Sequence, residues 1–180
     1  MSQHSSDSSS GLDTTLFGSD EGFLYVFFDP GESTGIAIFN NEGEIVESLQ
    51  VSSLEHFIDW IEDKVQVYRE SGVQTFHTVG YENYIIDPRT PQGGTIAIAS
   101  QAIGIIRYFA KVTGAKIAKK RNGKIQTRLD KATGYAWWGR PVAKKSDPEN
   151  HMKDAIAHGI YWLVSFGIRK TSLERRQKSD

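Results

Sequence analysis

The chain has 180 residues, 38% of them hydrophobic and 24% charged, which leaves room for one well-packed domain and little else. It contains no cysteine, so disulfides, thiolate metal sites and cysteine nucleophiles are excluded, and any metal must be held by O and N donors. The net charge of −1 averages two unlike parts: residues 1–70 carry 14 acidic side chains against Lys64 and Arg69, whereas 71–180 carry 19 basic against eight acidic ones, an asymmetry that suggests a basic face for a polyanion.

Residues 1–21 are rich in Ser and Asp, with neither a basic start nor an apolar core, and read as a disordered tail rather than a secretory signal. No apolar run reads as long enough to span a bilayer, so a membrane is not among the expected partners and a cytoplasmic location is. Phe23 to Asp29 is a continuous aromatic and β-branched run, the pattern of a strand buried on both faces, and Pro30-Gly31 ends it. Gly35 to Phe39 and Glu44 to Val51 are further strands, with Asn40-Asn41-Glu42-Gly43 making an antiparallel hairpin between them. Ser52 or Ser53 can cap a helix in which Leu54, Phe57, Ile58, Ile61 and Val65 recur at helical spacing. Thr75 to Tyr81 reads as a fourth strand that ends at Glu82.

Thr95 to Val112 has the helical pattern of Ile98, Ala102, Ile105, Ile106 and Phe109, and Gly114 stops it. Ala115 to Ala118 is a short fifth strand, followed by a basic loop from Lys119 to Lys124. Thr127 starts a short helix, and Asn150 to Phe166 is the last helix, burying Ile156, Ile160, Leu163 and Val164. The domain is thus expected over 22–168, with a basic tail over 169–180. Three strands, helix, strand, helix, strand and then helices is the order of an α/β RNase H-like fold: a five-stranded mixed sheet flanked by helices on both faces.

Three acids sit where this order would gather them: Asp29 and Glu82 at strand ends and Asp154 on the last helix. His151 precedes Asp154 by three residues and shares its helix face. Hard divalent cations such as Mg²⁺ or Mn²⁺ prefer such oxygen-rich donors, and two of them about 3.5–4 Å apart can clamp the attacking and leaving oxygens of a phosphodiester. Taken singly, each residue has a plainer reading as a turn former, a surface acid, a helix-dipole partner or a surface histidine. Asp147 and Glu149 lie close by and can cap the last helix or add a ligand.

The segment Phe28-Asp29-Pro30-Gly31-Glu32-Ser33-Thr34-Gly35-Ile36-Ala37 resembles the first motif of the RuvC-type Holliday junction resolvases. Val79-Gly80-Tyr81-Glu82 is similar to the second, Ser100-Gln101-Ala102-Ile103-Gly104-Ile105-Ile106 to the helix after it, and His151-Met152-Lys153-Asp154-Ala155-Ile156-Ala157-His158 to the last. The resemblance runs from Phe23 to Leu163 in the right order. It implies a structure-selective endonuclease that resolves four-way DNA junctions by paired hydrolytic nicks. The implied catalytic and metal-binding residues are Asp29, Glu82, His151 and Asp154, with Mg²⁺ or Mn²⁺ as cofactor, two per active site. The implied assembly is a homodimer, with Gly104 allowing close packing at its interface. A bacteriophage-encoded relative acting in the host cytoplasm is the expected context.

Asn83, Tyr84 and Ile85 depart from the family pattern, and Tyr84 can stack on an unpaired base or pack beneath a loop. Lys119, Lys120, Arg121, Lys124, Arg128, Lys131, Arg140, Lys144 and Lys145 are expected to neutralise phosphates; Trp137 and Trp138 among them read as core or interface residues. The competing readings are a nuclease for flaps, forks or RNA-containing duplexes, a non-catalytic DNA-binding scaffold, and an actin-like ATPase or kinase, for which the chain is short.

Overall fold

The computed structural model describes residues 22–71, 76–83, 94–121 and 150–169. Five strands, β1 (Leu24–Asp29), β2 (Thr34–Phe39), β3 (Ile45–Val51), β4 (Phe76–Asn83) and β5 (Lys116–Arg121), form one sheet in the order β3-β2-β1-β4-β5. The helices are α1 (Leu54–Ser71), α2 (Gly94–Thr113) and α3 (Asn150–Ser165). The hairpin pairs β1, β2 and β3 are antiparallel, while β1–β4 and β4–β5 are parallel, as the helical crossovers require. The mixed five-stranded sheet expected from the sequence is the one observed.

Period-two alternation divides the strand residues between two cores. Val26, Phe28, Ile36, Ile38, Val79 and Tyr81 pack with α1 and α2 residues such as Phe57, Ile61, Ile106 and Phe109. Tyr25, Phe27, Ala37 and Phe39 pack with Ala155, Ile156, Ile160 and Leu163 of α3 on the opposite face. By the same alternation Asp29 and Glu82 belong to the α3 side. The uninterrupted apolar character of β1 is therefore the mark of a central strand covered on both faces.

Local signals account for the element ends. Asn40 Oδ1 accepts from the backbone N–H groups of Glu42 at 3.0 Å and Glu44 at 2.9 Å, closing the β2–β3 turn. Ser53 is the cap of α1, its hydroxyl accepting from the His56 N–H at 3.2 Å. Gly114, at φ +71°, follows α2 where the helix was expected to stop. Within α2, Ile96–Thr113 is long and apolar enough by length and composition to cross a membrane, contrary to the reading that no run is. It carries Arg107 and Lys111, and its Ala102, Ile106 and Phe109 are buried against the sheet, the arrangement of a core helix.

One element differs from expectation. Lys119, Lys120 and Arg121 lie in β5 rather than in a loop, paired with Tyr81, Glu82 and Asn83 of β4. The exposed ladder of β4 recruits a parallel partner, and these long-range backbone bonds override the local composition.

Close approach of α3 to the sheet depends on two glycines. A Cβ on Gly35 would stand 1.8 Å from the His151 carbonyl oxygen, and one on Gly159 would stand 2.3 Å from the Phe39 ring. Without side chains at these points the first turn of α3 rests directly on β2. From β3, Gln50 reaches across to the same turn: its Oε1 accepts from the backbone N–H groups of His151 at 3.1 Å and Met152 at 3.3 Å. Two first-turn donors that would otherwise lack partners are satisfied in this way.

Candidate metal centre

Asp29 ends β1 and Glu82 lies one step beyond the Phe28–Tyr81 pair of the adjacent parallel strand β4. Both are therefore at the carboxyl ends of neighbouring strands, facing α3. That helix presents His151, Asp154 and His158 at intervals of three and four residues, a single face.

Their geometry is close. His151 Nδ1 is 2.6 Å from Oδ2 of Asp29, whose side chain is 6% exposed. His158 Nε2 is 3.3 Å from Oε2 of Glu82. Donor atoms of Asp29, Glu82 and His158 all lie within 4.8 Å of one another. The hydrogen bond to Asp29 raises the His151 pKa above that of a free histidine, against burial, which lowers it, and with smaller help from the charges of Asp29 and Asp154. Asp154 is pushed up to about 6, first by burial and then by the negative charge of Asp29, while His158 and His151 pull it down and Glu82 adds to the rise. The groups that move Asp154 are thus the other four members of the cluster.

The four residues singled out from the sequence, Asp29, Glu82, His151 and Asp154, share one electrostatic site at the carboxyl ends of the inner strands β1 and β4. Three carboxylates in such proximity repel one another and favour a cation between them. The donor set, oxygen-rich with imidazoles and without sulfur, suits hard divalent ions. Sequence reasoning assigned no role to His158, although its place four residues after Asp154 was the available signal. Gln50 was also missed, because nothing local in β3 announces that its amide caps a helix a hundred residues later.

Among the expected DNA-contacting residues, Lys119, Lys120 and Arg121 are placed by their backbone on β5, with Lys120 in register with Glu82. Tyr84, Lys124, Arg128, Lys131, Arg140, Lys144 and Lys145 lie outside the described residues, as do Asp147, Glu149, the expected N-terminal tail and residues 170–180 of the expected basic tail, whose first residue, Arg169, is described and buried. Gly104 is on the exposed face of α2, and a Cβ there would meet nothing within 4 Å.

No protein-family model matches the sequence, and no curated protein is detectably similar to it. Solved structures do match. RuvC of Thermus thermophilus in complex with a Holliday junction substrate superposes with a TM-score of 0.55 at 13% identity, over 81% of this chain and 98% of that one. A second Thermus thermophilus RuvC structure gives 0.50 at 15% identity with the same coverage. At such identities the likeness establishes the fold, which is that of RuvC and the RNase H-like proteins.

Proposed function

We propose that this protein is a divalent-metal-dependent endonuclease of branched DNA that resolves four-way junctions by paired nicks. The observation that carries the reading is the meeting of Asp29 and Glu82, from adjacent parallel strand ends, with Asp154 and His151 of α3 in one part-buried acidic cluster. The likeness to a RuvC structure holding a Holliday junction supports DNA as the substrate.

In this reading Asp29, Glu82, Asp154 and His151 hold Mg²⁺ or Mn²⁺, two per site. Such ions, when bound, generate a nucleophilic water near neutral pH and stabilise the departing oxyanion of a phosphodiester. Asp29, buried on the central strand, is the fixed anchor of the centre. Asp154 and His151 release the protons they retain without metal and become donors. Lys120, in register with Glu82, and its β5 neighbours Lys119 and Arg121 hold the phosphate backbone in this reading. Lys124, Arg128, Lys131, Lys144 and Lys145 extend that contact, and Tyr84 stacks on an opened base. A homodimer, with Gly104 of α2 at its interface, brings two such sites to the two strands that are cut. In this reading the protein is encoded by a bacteriophage and acts in the host cytoplasm.

The test is incubation with a mobile four-way junction, a flap and a linear duplex, each with Mg²⁺, Mn²⁺ or EDTA. Paired symmetric nicks in the junction, dependent on metal and abolished by Asp29→Asn and Glu82→Gln, are expected. Junctions left intact with metal, or cut equally by the two variants, would overturn the reading; equal cutting of flaps would assign a broader branched-DNA nuclease.

A further inference from the structure

We infer that His158 is a fifth protein ligand of the centre, donating Nε2 to a cation that it shares with Asp29 and Glu82. The inference rests on the metal-dependent reading above and adds to it a donor that this reading does not require.

Distances separate the two histidines. Ligands at neighbouring corners of an octahedron with bonds of ~2.1 Å stand about 3 Å apart, and opposite ones about 4.2 Å apart. The 3.3 Å between His158 Nε2 and Glu82 Oε2 matches neighbouring corners, and the donor atoms of the full trio lie within 4.8 Å of one another, so that a small inward shift closes them around one ion. His151 Nδ1, at 2.6 Å from Asp29, is too close for two ligands of one ion and must first give up its hydrogen bond. A cation between Asp29, Glu82 and His158 therefore needs less rearrangement of side chains than one held by His151.

Burial supplies a second, independent observation. The His158 side chain is 7% exposed, and its Nδ1 has no hydrogen-bond partner among the described residues. The ring lines a small cavity with Phe27, Gly80 and Trp162, surroundings in which an aliphatic side chain would pack without leaving a polar atom unsatisfied. Packing gives no reason for an imidazole here. Its other nitrogen, directed at Glu82 and hence into the acidic cluster, does.

Two imidazoles among the donors move the preference of the site from Mg²⁺ towards Mn²⁺ and later divalent metals, since nitrogen donors strengthen binding in that order. His158 would then set metal choice as well as affinity.

The test is Mn²⁺ binding to the full chain without DNA, read by titration and by pulsed electron paramagnetic resonance, which detects nitrogen bound to manganese. Wild type is expected to show two imidazole couplings. His158→Gln is expected to lose one, to weaken Mn²⁺ at least about tenfold and to narrow the Mn²⁺ over Mg²⁺ preference, while His151→Gln keeps the His158 signal. His158→Leu, which restores apolar packing, gives the same answer if the Gln variant folds poorly. Unchanged nitrogen couplings and Mn²⁺ affinity in a folded His158 variant would overturn the inference and leave the nuclease reading standing. A wild-type protein that binds no Mn²⁺ would remove both.

Discussion

The imidazole of His151 and the carboxylate of Asp29, 2.6 Å apart across β1 and α3, are hydrogen-bonded to each other in the place where the proposed cation would sit. Protons and metal therefore compete for the same donors. The bond to Asp29 keeps His151 protonated to higher pH than a free histidine, and burial with the charge of Asp29 holds Asp154 protonated up to about pH 6. Affinity for Mn²⁺ or Mg²⁺ is expected to climb from about pH 5 to about pH 8, with protons released on binding. Calorimetric titrations in buffers of different ionisation enthalpy measure that release; an affinity flat across the window would contradict the competition.

Stability without metal should run the other way. Asp154 and His151 both bind protons more tightly in the folded chain, so the stability they contribute is fully present below their unfolded values and is lost as pH rises through the folded ones. For Asp154 that loss falls between 3.8 and about 6, and for His151 it lies above 6.5. Asp154→Asn removes the buried charge and should melt above wild type at pH 8 in EDTA by roughly 2–4 °C, on the order of 1 kcal/mol for a domain of this size. It should also lose the stabilisation that added metal gives wild type. An Asn variant no more stable than wild type under these conditions would argue against a strained carboxylate.

Contact between α3 and β2 at Gly35 makes a sharper demand. A methyl group there would stand 2.6 Å from the Met152 nitrogen as well as overlapping the His151 carbonyl, so Gly35→Ala must push the first turn of the helix away. Overpacking of this kind costs about 1–3 kcal/mol, readable by urea denaturation. Because His151 and Asp154 move with the helix, metal affinity should fall even at temperatures where the variant is fully folded. Retained affinity would mean that the centre tolerates a displaced α3.

The basic end of β5 is expected to act through phosphates, not bases. Replacing Lys119, Lys120 and Arg121 together by Ala should weaken junction binding uniformly across sequences. The salt dependence, log K against log salt, should become shallower by about 0.9 for each phosphate that these side chains neutralise in the wild type. Electrophoretic or fluorescence binding curves at several salt concentrations decide it, and an unchanged slope would place the DNA elsewhere.

The core of the fold was readable because β1, β2 and α3 advertise themselves locally. The Phe23 to Asp29 run is apolar on both faces, Asn40 and Gly43 mark the hairpin, and Ile156, Ile160 and Leu163 recur at helical spacing. Asp29, Glu82, His151 and Asp154 were readable as candidates because each sits at a strand end or on that helix face. What escaped was set by partners distant in sequence. The strand state of Lys119 to Arg121 depends on the open ladder of β4, the capping role of Gln50 on a helix start far along the chain, and the burial of His158 on its closeness to Glu82.

The most direct measurement is anomalous diffraction from crystals of the full chain grown with Mn²⁺. Manganese peaks within coordination distance of Asp29 and Glu82, bounded on the helix side by Asp154 and His151, are expected. Density at that position unchanged by manganese, with the ion absent or bound only elsewhere on the surface, would contradict the account.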